Sequence, residues 1–186
     1  MHQLLDTDYL VVGAGAAGMA FTDALLAHSD ATVTIVDRRH AAGGHWIDAY
    51  PYVRLHQPST FYGVSSVPLG EDAIDTVGTN AGFYELAVAD QIRAYYARVM
   101  QRHFLPSGRV RDLPQSDYLG YGRFVCRLSN KATRVRVRRK LVDTTYIEGV
   151  IPATSAPPFQ VADGVRWAPA GGIAGLQRAP RSASSS

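Results

Sequence analysis

A layered α/β fold, with a parallel sheet and a small antiparallel β insertion, is what this sequence predicts, and three observations predict it. A short apolar run, Tyr9 to Val12, stops abruptly at a glycine. An Ala- and Leu-rich stretch, residues 16–28, follows it. A β-branched run, residues 32–37, then closes a strand-helix-strand unit of about thirty residues, the size of a parallel crossover. The 186 residues are 46% hydrophobic, enough apolar material for one sizeable core.

Each element has its own warrant. Tyr9 to Val12 is apolar throughout, as a strand covered on both faces must be. In residues 16–28, Ala17, Ala20, Phe21, Ala24, Leu25 and His28 fall on one helical face, which is expected to pack on the sheet. Residues 41–80 show no sustained periodicity and are rich in Gly, Pro, Ser, His and Tyr. Such a long loop is either functional or disordered, and Trp46, Tyr50, Tyr52, Phe61 and Tyr62, with His40, His45 and His56, favour an ordered cover for a ligand. Helical spacing returns over 83–103, where Val88, Ile92, Tyr95, Tyr96, Val99 and His103 form one stripe. Residues 123–128 and 134–137 are expected to pair as a hairpin through Ser129 to Lys131, and 141–146 to return to the main sheet. Residues 1–167 are thus read as one domain, and 168–186, almost wholly Ala, Gly, Pro, Arg and Ser, as a disordered tail.

Composition removes several function classes. Cys126 is the single cysteine, so an internal disulfide framework, a four-thiolate zinc site and a Cys-x-x-Cys redox pair are excluded. Alternating with Phe124 and Leu128, it reads as a small buried hydrophobe. His40, His45 and His56 have no helical spacing and no neighbouring carboxylate cluster, so no metal is expected. Net charge is only +3, and the basic run Arg134, Arg136, Arg138, Arg139 and Lys140 alternates with Val135 and Val137, as a solvated strand face does; no nucleic-acid partner is expected. No run of eighteen apolar residues occurs and no basic segment precedes an apolar one at the N-terminus, which points to a cytoplasmic protein without a membrane partner. The oligomeric state is left open.

The chemistry lies in Gly13-Ala14-Gly15-Ala16-Ala17-Gly18, placed between strand and helix. Gly13 permits a tight turn, Gly15 lets the backbone approach a pyrophosphate, and Gly18 allows close helix-strand packing; the helix start at Ala16 and Ala17 offers amide donors and a positive dipole end. Asp37, nineteen residues past Gly18, stands where an acid accepts hydrogen bonds from ribose hydroxyls. This is a Rossmann dinucleotide fingerprint, and by itself it does not choose between NAD(P) and FAD.

Gly43-Gly44-His45-Trp46, soon after Asp37-Arg38-Arg39, resembles the Gly-Gly-x-Trp element of flavin-containing and Baeyer-Villiger monooxygenases. Residues 50–59 resemble that family's stretch beside the flavin ring, and Asp143-Thr144-Thr145 its Ala-Thr-Gly strand end, with Tyr146 in place of the glycine. The resemblance covers residues 8–165 and is specific in its first sixty. It implies FAD in the first fingerprint, with Arg38, Gly44, His45 and Trp46 along the cofactor. Arg54 and Gln57 stand either against the flavin or its phosphates or as surface groups. It also implies NADPH as reductant, yet no second fingerprint is found: Gly171-Gly172-Ile173-Ala174-Gly175 follows no apolar strand and has the wrong glycine spacing. The expectation is therefore an FAD-binding oxidoreductase domain truncated before its NADPH site, serving a small-molecule substrate, with no side chain nominated as catalytic. A non-catalytic dinucleotide-binding fragment is the alternative. A short-chain NAD(P)-dependent dehydrogenase is disfavoured, because Lys131 and Lys140 are the only lysines and neither has a tyrosine four residues before it.

Overall fold

The computed structural model describes residues 4–50, 52–145, 155–169 and 172–173. Its elements in order are β1 (Leu4–Val12), α1 (Ala16–His28), β2 (Val33–Val36), α2 (Ala89–Val99), β3 (Val110–Leu113), β4 (Ser116–Gly120), β5 (Arg123–Cys126) and β6 (Ala132–Asp143). They form one six-stranded sheet in the order β3-β2-β1-β6-β5-β4. The pairs β1–β2, β2–β3 and β1–β6 are parallel, and β5 pairs antiparallel with β4 and with β6. The predicted parallel sheet with a small antiparallel insertion is what the chain forms. The expected hairpin is β5–β6, and the return to the main sheet is the far end of β6, a single twelve-residue strand. Neither β3 nor β4 was anticipated.

β3 and β4 stand at opposite ends of the strand order, yet only Pro114 and Gln115 separate them. The sheet must therefore roll. Gln115 N–H donates to the Arg39 carbonyl at 2.8 Å and Ser116 N–H to the Asp37 carbonyl at 2.8 Å, bringing the start of β4 back to the end of β2. Leu10, Val36, Phe124 and Val135 are buried together inside the roll. The larger core lies on the other face, where Val11, Val33, Ile35 and Met19 meet Ile92, Tyr95, Tyr96 and Val99 of α2.

Three readings of side-chain direction are corrected. In α1 the buried positions are Gly18, Met19, Thr22 and Asp23, while Ala17, Ala20, Ala24 and His28 face outward. The helix is apolar nearly all round, so periodicity gives no phase; the close approach of Gly18 to β1 sets it. His103 is exposed and Phe104 is buried in its place, because a π turn over Met100–Phe104 inserts extra length per turn and slips the stripe by one position. Cys126 is only half-buried and Leu128 is 75% exposed, since the strand ends at Cys126 and the turn carries Leu128 outward. The basic face of β6 is solvated as expected: Arg136 pairs with Asp6 at 2.6 Å, and Arg138 and Arg139 with Asp8 at 3.2 and 3.5 Å. The stretch read as a disordered tail lies mostly outside the described residues.

Candidate nucleotide-binding site

β1 delivers the fingerprint to the carboxyl edge of the sheet, and the turn is held from three sides. Gly13 N–H donates to the Val36 carbonyl at 2.9 Å, which ties the turn to β2. Below it, Thr144 Oγ1 donates to the Val12 carbonyl at 2.7 Å, so the Asp143-Thr144-Thr145 strand end supports the turn through its threonine. Behind it, a Cβ on Gly18 would lie 2.0 Å from the Gly13 carbonyl oxygen, a distance that no side chain tolerates.

The Gly43-Gly44 pair has a matching physical reason. Gly43 N–H donates to the Ala14 carbonyl at 2.8 Å. Gly44 adopts a positive φ of 57°, and a Cβ there would lie 2.8 Å from the Gly15 Cα. Main chain thus packs on main chain between two segments 29 residues apart in sequence. The Gly44–Asp48 turn that follows buries Trp46, whose indole N–H donates to the Tyr62 hydroxyl at 2.7 Å and whose ring meets Tyr62 edge-on at 5.9 Å. Tyr62 in turn meets Tyr96 of α2 edge-on at 6.3 Å. The Tyr96 hydroxyl is fully buried without a hydrogen-bond partner among the described residues, and burial drives its pKa far above the ordinary phenol value.

Asp37 closes the fourth side. It is 5% exposed; Oδ2 accepts the Ala14 N–H and Oδ1 the Arg39 N–H, both at 2.6 Å. Each oxygen keeps a further lone pair for another donor. The first turn of α1 is not capped by any side chain and holds no acid, with Gly15 and Ala16 half-buried and Ala17 exposed, so its amides are open to an anion. His45 sits on the outer side of the same junction. Desolvation, then the neighbouring Arg39 charge, holds its imidazole below the ordinary value and favours the neutral ring.

The structure therefore brings Gly13, Gly15, Ala16, Ala17, Gly18, Asp37, Gly44, His45 and Trp46 to one edge. Arg38 is exposed beside Asp37, and its carbonyl accepts a bond from Arg127. Arg54 and Gln57 are held differently. Their loop is fixed to the start of α2 by Leu55 N–H on the Ala87 carbonyl and by the Arg54–Val88 bridge, and no hydrogen bond among the described residues joins either side chain to the fingerprint. Sequence reasoning missed Asp112 on β3. Its carboxyl is pushed up to about 6, first by burial and then by the charge of Asp37. Its signal, an acid in the apolar-polar sequence Val110-Arg111-Asp112-Leu113, was too short to mark a strand. No helix among the described residues is long and apolar enough to cross a membrane.

Comparison with known proteins agrees with this geometry. Residues 11–61 match the family described as the NAD(P)-binding Rossmann-like domain, the segment from β1 through the Gly43-Gly44 junction and past Trp46. Uncharacterized proteins of Mycobacterium tuberculosis and Mycobacterium bovis are 52% identical over 161 residues, covering 87% of this chain; the chain spans 30% of their length. Among solved structures, a flavin-containing monooxygenase from Stenotrophomonas maltophilia aligns at TM-score 0.51 and 20% identity, covering 76% of this chain and 38% of that one. An oxidized steroid monooxygenase bound to NADP aligns at TM-score 0.51 and 23% identity, covering 83% and 28%. At this identity the likeness is one of fold. The chain carries a Rossmann-like fold, of the kind seen in these two monooxygenases.

Proposed function

We propose that this Rossmann-like unit holds FAD and forms the FAD-binding part of an NADPH-dependent oxidoreductase of the flavin monooxygenase type. The observation that carries the reading is the junction of Gly13–Gly18 with Gly43-Gly44. It is a close main-chain contact that leaves no room for a Cβ at Gly44, with open helix amides on one side and the Asp37 carboxylate on the other. These residues fit a dinucleotide. Gly13, Gly15, Ala16 and Ala17 would receive the pyrophosphate on main-chain amides, and Asp37 the adenosine ribose. Arg38, His45 and Trp46 line the adjoining edge, and Arg54 and Gln57 stand further along the loop. The 52%-identical mycobacterial proteins extend well beyond the part aligned here, and the solved relatives of like fold include a protein named as flavin-containing and one named as bound to NADP.

When bound, a flavin supplies two-electron redox chemistry, accepting reducing equivalents from a nicotinamide and passing them on. This chain's own contribution is binding and orientation. The fixed glycine turn would position the phosphates, Asp37 locks the turn through Ala14, and buried Trp46 with half-buried Tyr62 forms an aromatic wall behind the junction. Residues 1–167 form the nucleotide-holding unit in this reading, which acts in the cytoplasm on a small-molecule substrate.

A second reading, a module that holds the nucleotide without turnover, is favoured by one observation. Among the described residues only one strand-glycine-helix unit occurs. The experiment that separates the two is an absorbance spectrum of the purified chain after incubation with FAD and desalting, followed by NADPH without oxygen. Retained yellow colour that bleaches supports the oxidoreductase; retained colour that persists supports the holding module. A colourless protein refutes both.

A further inference from the structure

An open cavity lies at the rolled end of the sheet, and its walls follow from strand register. Phe124 stands opposite Thr133 and Ser116 opposite Cys126, and directly paired residues share a face. Phe124 is buried inside the roll, so Thr133, then Cys126 two residues further along β5, and with it Ser116, also point inward. Leu5 and Leu113 pack on the same small core from the facing strands. Large side chains fill the roll around Leu10, Val36, Phe124 and Val135. Where Ser116, Cys126 and Thr133 line the wall the side chains are small, and a space of about 340 Å³ remains, bordered by Arg111, Ser129 and Lys131. None of these residues belongs to the glycine fingerprint, the Gly43-Gly44 pair or Asp37.

We propose that this cavity binds a small organic anion, its charged head held by Arg111 and Lys131 and its apolar body resting on Leu5, Leu113 and Phe124. The charge at the border is one-sided. Arg111 is exposed, and its guanidinium makes no ion pair or hydrogen bond among the described residues. Lys131 is fixed at the rim by its main chain: its carbonyl accepts the Cys126 N–H at 3.1 Å, and its N–H donates to Ser129 Oγ at 3.4 Å. The neighbouring acids are turned away or taken. Asp112 lies opposite Ile35 in parallel register, hence on the face packed against α2, and Asp117 pairs with Arg127 at 3.3 Å. Donors converge on the wall as well. The Ser129 hydroxyl, then the Ser129 and Leu128 N–H groups, hold the Cys126 thiol below its ordinary value, and the Thr133 hydroxyl has no hydrogen-bond partner among the described residues. A guanidinium fork matches a planar carboxylate, and an apolar floor beneath a cationic rim selects an amphipathic anion over a bare inorganic one. The volume is at the small end of ligand pockets and suits a single ring or short chain rather than a nucleotide.

The probe is benzoate, titrated calorimetrically into the full chain with and without FAD, beside its neutral isostere benzamide and inorganic phosphate. Expected is one saturable benzoate site, unchanged by FAD, with benzamide and phosphate each at least about tenfold weaker for want of the charge or of the ring. Bound benzoate should also slow alkylation of Cys126 by iodoacetamide at least about threefold, by blocking access to the thiol. Arg111→Gln, at an exposed position, is expected to weaken benzoate at least about tenfold with an unchanged melting temperature. Cys126→Leu, which fills the space, should abolish binding; if it fails to fold, Arg111→Gln and the alkylation rate decide. No benzoate binding at about 10 mM overturns the inference. Equal binding of benzamide overturns the anion assignment, and phosphate as tight as benzoate overturns the role of the apolar floor. Benzoate that is displaced by FAD, or that binds undiminished in Arg111→Gln without protecting Cys126, sits elsewhere and overturns the site.

Discussion

At the glycine junction, main chain packs on main chain: Gly18 against the Gly13 carbonyl, Gly44 against Gly15, with Asp37 gripping Ala14. At the rolled end of the sheet, β3 to β5, main-chain hydrogen bonds such as Ser116 N–H to the Asp37 carbonyl make the joints, close main-chain packing is confined to Gly122 against the Val135 carbonyl, the buried set is small, and Leu119, Tyr121 and Leu128 stand exposed. The first region has no slack, because a backbone cannot change rotamer to relieve a clash. Away from Gly122 the second tolerates change, since its half-buried side chains can move aside. Under the proposed function, rigidity is thus concentrated where a phosphate would be met at fixed distance, and most of the scaffold's other end is left adaptable.

The sharpest way to break this contrast is Gly18→Ala. The added methyl would sit 2.0 Å from the Gly13 oxygen. We expect a loss of about 3 kcal/mol or more in chemical denaturation, together with loss of FAD retention. A variant that melts like the parent would show that the junction has slack after all. Asp37→Ala comes next. It strips the acceptor from the Ala14 and Arg39 amides, and leaving a buried donor unmet costs about 2 kcal/mol, read in the same denaturation experiment.

Asp112 offers the opposite sign. Its folded-state pKa of about 6 lies above the ordinary 3.8, so between these values the native state holds a proton that the unfolded state has lost. Stability contributed here is gained as pH falls from 7 toward 4 and is lost as pH rises through 6. Asp112→Asn is therefore expected to stabilise the chain at pH 7.5 by roughly 1–2 kcal/mol, allowing for partial exposure, and by much less at pH 4.5, in urea titrations at the two pH values. The smallest effect is expected at the solvated face of β6. Arg136 and Asp6 are 63% and 45% exposed at their side chains, so Arg136→Ala should shift the urea midpoint by less than about 0.5 kcal/mol equivalent.

What could be read from the sequence follows the same division. The boundaries of α1 and the identity of β1 and β2 were legible because glycine, apolar run and helix former agree locally. The Gly43-Gly44 pair was noticed only by resemblance; its reason, contact with Gly15, is a long-range packing fact that no local pattern encodes. β3 and β4 were illegible because each is four or five residues long, is interrupted by charge (Arg111 and Asp112 in β3, Asp117 in β4), and takes its strand character from the neighbour it pairs with. The buried face of α1 was misread because an alanine-rich helix has little amphipathic phase, although Gly18, required at the strand by the fingerprint itself, already pointed to it.

The most direct test of the central claim, that the glycine turn is a pyrophosphate seat, is FAD affinity in Gly15→Ala, read by flavin fluorescence quenching beside a thermal melt of the flavin-free protein. Gly15 has an ordinary extended φ of −80°, and a Cβ there would meet the Gly44 Cα at 3.4 Å, close to normal contact, so the fold should survive. The account predicts a melting temperature within a few degrees of the parent and FAD binding at least about tenfold weaker, because the methyl intrudes where the phosphates approach the backbone. Undiminished FAD binding in a folded Gly15→Ala chain would contradict it.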